Sequence, residues 1–369
     1  MSCLALMLLC LPIAQEPAPP STDLKKQGPP GRIITLAKSA ATAQLWDTRN
    51  GRELARLQVG DGPHEVAISP DGRTAVVANY GGQKPGSTLS VIQLWYMGPP
   101  KEPRLIELGA AVRPHGLAFD ASGEHLWLTA EVTGELWRVH LGSGKVLDKV
   151  SVGMGAGHMV ARVDDDRLYV SHIGDGCVTP VLRQADGSWK AGARIATGAG
   201  AEGIWVEPGT DNIWVTNRAE DTISLVSAET GQMYHKIDCE GFPIRVAFTK
   251  DGRLAVVSCP TKGDIAVFDT ETYALLDRIP IGLTAEEDAR TRLFGDRFGE
   301  SPVPIGMVFA DNDYHLFVSC AGADQIAVLD LRLGRVVGSL ATDKEPDGIG
   351  LYTAPPPQTA EVSTDLFHE

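Results

Sequence analysis

The chain has 369 residues, a formal net charge of −14, 40 glycines and 24 prolines. So acidic a composition argues against binding phosphate backbones, so nucleic acid is not an expected partner. Six cysteines across this length do not make a disulfide scaffold, and no C-x-x-C-H stretch is present for haem attachment.

Residues 1–15 (MSCLALMLLCLPIAQ) hold an apolar run from Leu4 to Ile13. A bilayer span takes about 20 apolar residues, so this run reads as a signal-peptide core, although no Lys or Arg precedes it. The expected mature chain begins near Gln15 or Glu16 and is periplasmic or secreted, with no second apolar span. Residues 16–31 are Pro-rich and polar and read as an extended linker. Residues 354–369 read as a disordered tail, leaving 32–353 as the folded domain.

Regular pattern begins at Arg32. Ile33 to Lys38, Thr42 to Thr48 and Glu53 to Val59 read as three strands, with an Asn50-Gly51 hairpin turn before the third. The stretch GPHEVAISPDGRTAVVANYGG, Gly62 to Gly82, then sets a unit. Pro63-His64 ends a loop, Glu65 to Ser69 is a short strand, Pro70-Asp71-Gly72 is a tight turn, and Thr74 to Asn79 is a second strand. Two more strands complete the unit. Corresponding apolar positions recur at Val66, Leu117, Val160, Ile204, Val246, Met307 and Ile349. Four strands per unit at a period of roughly 40–60 residues signals an all-β propeller. The last repeat stops after one strand. That strand and the three N-terminal ones are expected to complete a seventh blade, pairing Arg32 to Ala37 with Ile349 to Thr353. Trp127, Trp137, Trp205 and Trp214 sit within strands and are expected in the core between blades. Two long insertions, Gly81 to Ser87 and Leu283 to Val303, fall on the face opposite the Pro-Asp-Gly turns, the second with an expected short helix over Glu286 to Leu293.

VVANYGG, LYVSH, IWVTN and LFVSC resemble YVTN-type β-propeller repeats, and ISPDGR matches their Pro-Asp-Gly turn. The resemblance covers about Arg32 to Thr353. GPHEVAISPDGRTAVVANYGG and RPHGLAFDASGEHLWLTAE are also similar to the seven-bladed lactonase-like family. The resemblance implies a closed seven-bladed propeller of four-stranded antiparallel blades. These groups include enzymes and non-catalytic proteins, so a shared fold leaves function open.

Two rings of residues are expected at the top mouth of the channel. Those opening each first strand are His64, His115, His158, Glu202, Ile244, Ile305 and Asp347. Those closing each second strand are Asn79, Ala130, His172, Asn217, Cys259, Cys320 and Lys38. His64, His115, His158 and Glu202 fall in consecutive blades. Imidazole and carboxylate suit either a divalent metal on the three histidines or general acid–base catalysis. Lys38, Arg218 and Arg245 are candidates to hold an oxyanion. Lys38, Asn79, His172, Asn217, Arg218, Arg245 and Asp347 are the expected ligand-binding residues. On the competing reading, the Pro-His pair belongs to the repeat pattern and its imidazole caps a loop. Cys259 and Cys320 read as a metal pair, a disulfide or small buried residues. The leading functional reading is an exported monomer that binds a small molecule or protein at its top face. The alternative is a lactonase-like hydrolase opening a lactone or related ester ring with the His/Glu cluster, with or without a metal.

Overall fold

Short segments rich in Val, Ile, Ala and aromatic residues, punctuated by Gly and Asp turns, pair antiparallel into seven sheets around a central axis. The computed structural model describes residues 28–29, 31–94, 101–153, 157–289, 292 and 295–352. The expected signal segment, most of the linker and the expected tail lie outside them. The described end of the linker is tied down: the Thr48 hydroxyl donates to the Pro29 carbonyl at 2.6 Å.

Blade 1 is closed by the two ends of the chain. Pro346–Tyr352 is its innermost strand and pairs with Arg32–Ala37, with Arg32 opposite Tyr352 and Thr35 opposite Ile349. Thr42–Asp47 and Arg52–Gln58 follow outward. Blades 2 to 7 begin with the inner strands Pro63–Ile68, Pro114–Phe119, Gly157–Arg162, Ala201–Val206, Val246–Phe248 and Pro304–Phe309. In blade 4 the outer edge is split into Trp189–Ala191 and Ile195–Ala196. The insertion after Tyr80 is not a loop. It lengthens the hairpin between Thr74–Gly81 and Pro85–Gln93, with Gly81 opposite Pro85. In the second insertion, residues 290, 291 and 293 of the expected helix lie outside the described residues, and Gly295–Phe298 forms a short 3-10 turn.

Apolar side chains fill the spaces between sheets. Trp127, Trp137 and Trp214 are buried there, as expected, whereas Trp205 is 55% exposed. Its place on an inner strand, at the edge that borders the channel, keeps it out of the space between blades.

One irregularity recurs and positions everything that follows. In blade 2 the inner strand pairs at Pro63 and again at Val66, skipping two residues. The same skip occurs after Pro114, Gly157, Ala201 and Pro304, and between Pro346 and Ile349 in blade 1. A bulge of this kind frees side chains from the ladder and re-aims them. The freed pairs include His64-Glu65, His115-Gly116, His158-Met159, Glu202-Gly203 and Asp347-Gly348. Hydroxyls of the second strands hold the bulges in place. Thr129 Oγ1 accepts from Gly116 N and donates to His158 O, both at 2.8 Å. Thr216 Oγ1 accepts from Gly203 N and donates to Ile244 O. Ser171 repeats the pattern with Met159 N and Glu202 O.

Candidate functional site

The bulges bring His64, His115 and His158 together at the top of the channel. The rings of His64 and His115 stack at 4.4 Å, and His158 meets His115 edge-on at 3.8 Å. His115 is fully buried, not at a wet mouth, because the extended hairpin places Tyr80 5.0 Å from it. His115 Nδ1 lies 3.2 Å from Glu131 Oε2, and the Tyr80 hydroxyl lies 3.2 Å from Glu131 Oε1. Nε2 of His115 is buried with no hydrogen-bond partner among the described residues. Burial pushes the His115 imidazole well below its usual range, with His158, His64, Arg245 and Lys38 adding to the effect. His158 is lowered chiefly by burial, against the pull of Glu202. Neutral imidazole is the form that ligates a metal.

A second layer lies alongside. Arg245 stands where most repeats carry Gly. It donates to Glu202 Oε1 at 3.0 Å and, across the axis, to Glu65. Arg218 pairs with the other oxygen of Glu202, and His158 Nε2 is 3.4 Å from Oε1. Burial alone would raise the Glu202 carboxyl, but His158, Arg245 and Arg218 outweigh it and hold it well below the usual range. Asp347 Oδ2 lies 2.6 Å from His64 Nδ1 and 3.7 Å from Lys38 Nζ. Burial opposes ionisation of Asp347, and His64, Lys38 and Arg245 overcome it.

Eight of the expected residues are thus assembled: His64, His115, His158, Glu202, Lys38, Arg218, Arg245 and Asp347. Asn79, His172 and Asn217 are not. Asn79 Nδ2 donates to Thr88 and Ser90, and Asn217 Nδ2 to Thr222 and Ser224, all within their own blades. His172 Nε2 meets Thr179 Oγ1 at 2.7 Å and is buried. Ladder residues point sideways into the sheet packing, whereas bulge residues point to the axis. Ile244 and Ile305, the apolar members of the first ring, are covered by Phe298 and Val303 of the second insertion. Cys259 and Cys320 are buried free thiols, and the neighbour of Cys259 is Cys239 at 3.8 Å. Sequence reasoning passed over Glu65, Tyr80 and Glu131. Each lies one residue beyond a ring position, and Glu65 breaks the Gly that follows the ring residue in four other repeats.

Two groups have ligand atoms close enough to share one ion: His64, Glu65 and His115; and His115, Glu131 and His158. The orphaned His115 Nε2 and a donor set of two imidazoles with one carboxylate, as each group offers, fit a divalent transition metal.

No protein-family model matches the chain. It is 23% identical over 314 residues to dihydro-heme d1 dehydrogenase of Pseudomonas aeruginosa, covering 69% of this chain and 62% of that protein. The chain therefore spans less than two thirds of that relative. Among solved structures it is similar to a functionally unknown protein from Desulfotomaculum acetoxidans. The TM-score is 0.73 at 15% identity, covering 88% of this chain and all of that one. It is likewise similar to the periplasmic gluconolactonase PpgL of Pseudomonas aeruginosa, with a TM-score of 0.67 at 15% identity over 88% of this chain and 99% of that one. These structures share the propeller fold. Among the described residues no helix is long and apolar enough to cross a membrane.

Proposed function

We propose that this is an exported propeller that binds a small molecule at its top face, next to a divalent metal held by His64, Glu65 and His115, with His158 beside them. The observation that carries the reading is the buried lone pair of His115 Nε2. With the Nδ1–H donating to Glu131 Oε2, Nε2 is left an acceptor flanked by two further imidazoles. A carboxylate that fixes the tautomer of a histidine is the usual support of a metal ligand. Glu65 offers a carboxylate to the same place. A bound ion of the zinc type would supply Lewis acidity toward an oxygen of the bound molecule. Lys38 and Arg218 would orient an anionic group beside it. The hydrolase alternative asks Glu202 to act as a base. Here Glu202 is held anionic by Arg245, Arg218 and His158, which favours binding over proton transfer at that residue. The apolar N-terminal run supports export, and the likeness to a periplasmic protein agrees with it.

Titration of the full chain with Zn²⁺ and Co²⁺ tests the proposal. We expect uptake of one ion per chain, loss of uptake in His115→Ala and Glu131→Gln, and full uptake in His172→Gln. Glu131 is partly exposed, so the Gln variant should keep the fold where His115→Ala does not. No uptake by the wild type, or undiminished uptake by Glu131→Gln and His115→Ala, would refute the metal site.

A further inference from the structure

Midway along the inner strands, six blades carry a small residue: Ala67, Ala118, Ala161, Ala247, Val308 and Gly350. Blade 5 carries Trp205 at that place. Its indole lines a central cavity of about 640 Å³ and is 55% exposed, while Trp127, Trp137 and Trp214 are at most 2% exposed. The cavity runs from a layer of Glu65, Arg245 and Asp347 at one end to the bottom-face turn Pro208–Thr210 at the other. Between them the walls carry Leu117, Met307 and Ile349, and Arg162 and Glu207 stand among the lining residues of the same cavity. This volume and character fall within the range of small-molecule sites, about 300–1,000 Å³ with few polar groups.

A second observation points to a ligand. Asp347 is 3% exposed and lines the charged end, yet its Oδ1 has no hydrogen-bond partner among the described residues. A buried carboxylate oxygen without a donor is costly, and a ligand donor would relieve it. The charges around it balance. Glu65, Glu202 and Asp347 face Lys38, Arg218 and Arg245, and Glu207 and Arg162 of the lining offset each other, so no net field selects a charged guest. Trp205 lies three residues down its strand from Glu202, which holds the place of Asp347 in the repeat. The bulge shortens this stretch: Ala201 to Trp205 runs opposite only three steps of its partner strand, Asn217 to Trp214, so at about 3.3 Å per step the indole and the carboxylate are offset along the strand by about 7–8 Å.

We propose that the channel is a second ligand site, for a neutral aromatic molecule about two rings long with a hydroxyl or N–H at one end. The ring body stacks on Trp205 and the donor reaches Asp347 Oδ1. The site is entered from the bottom face and does not depend on the metal reading.

Calorimetric titration of the metal-free full chain with four probes of one shape tests it: para-phenylphenol, para-methoxybiphenyl, biphenyl carboxylate and para-phenylbenzylammonium. We expect para-phenylphenol to bind tightest, by about tenfold over the methoxy compound that lacks the donor. Trp205→Ala should weaken it by about tenfold or more, and Asp347→Asn should reduce the preference for the phenol. If Asp347→Asn fails to fold, the wild-type probe series and Trp205→Ala still decide. The proposal is overturned if none of the probes binds, if a charged probe binds tightest, if phenol and methoxy compounds bind alike, or if Trp205→Ala changes nothing. Zn²⁺ uptake should be unchanged in Trp205→Ala, so the two sites fail or stand separately.

Discussion

Arg245 and His172 show how differently two buried titratable residues are satisfied. Arg245 spans the axis, and three carboxylates, Glu65, Glu202 and Asp347, overcome the cost of burying it and raise its guanidinium above the ordinary range. Its charge is part of the fold at any accessible pH. His172 has a hydroxyl for a partner and no carboxylate in contact. Burial, with Arg194 adding, lowers its imidazole to about 4. In the unfolded chain it titrates near about 6.5. Between those values the unfolded state binds more protons than the native state. Stability is therefore highest above about 6.5 and falls as pH drops toward about 4. Urea unfolding midpoints measured from pH 7 to 4 should show this decline, and His172→Gln should make it shallower. An unchanged slope in the variant would assign the acid sensitivity elsewhere.

At the scale of one strand pair, the hydroxyl closing the repeat motif accounts for the site. Thr216 is the Thr of IWVTN, and its Oγ1 joins Gly203 N of its own bulge to Ile244 O of the next blade. Thr216→Val keeps the shape but leaves Gly203 N without its acceptor and takes one of two donors from Ile244 O, whose other is Arg245 Nη1, at a cost of about 1–3 kcal/mol for the unsatisfied donor. We expect Thr216→Val to unfold at distinctly lower urea, while a change at an exposed turn such as Thr230→Val has little effect. The same pair explains what the sequence made legible. Blade number, the shared closing blade and the axial ring of His64, His115, His158 and Glu202 follow from the repeat spacing, because equivalent positions take equivalent places around an axis. The orientation at Asn79, His172 and Asn217 does not follow from spacing. Those residues stay in the ladder and turn into their own blade, while first-strand residues two places before the aligned apolar position leave it. Trp205 departs from the core expectation for a related reason. A Trp in a strand is usually core, but an innermost strand has one edge on the channel. Gly203 reports a different constraint: a Cβ there would sit 2.3 Å from Ile244 O, so neighbouring inner strands approach too closely for any side chain.

For the whole molecule, everything depends on closure by the last described strand. Pro346–Tyr352 completes blade 1, buries Ile34 and Leu36 of its partner strand, and delivers Asp347 to the charged layer. Gly348 packs against the His64 carbonyl, where a Cβ would lie 2.5 Å away. The strand thus joins blade 1 to blade 2 as well as to its own sheet. Truncating the chain after Glu345 removes no part of the other six blades, but it leaves Arg32–Ala37 as an uncovered apolar edge, a template for pairing with other chains. It also strips His64 and Lys38 of their carboxylate. We expect the truncated chain to lose its cooperative thermal transition and to self-associate on size exclusion. A synthetic peptide of residues 346–352, supplied in excess, should restore a monomeric peak and a melt whose midpoint rises with peptide concentration, since a partner that binds only the folded state stabilises it by mass action. A truncated chain that melts like the full one would mean that six blades hold the ring without closure.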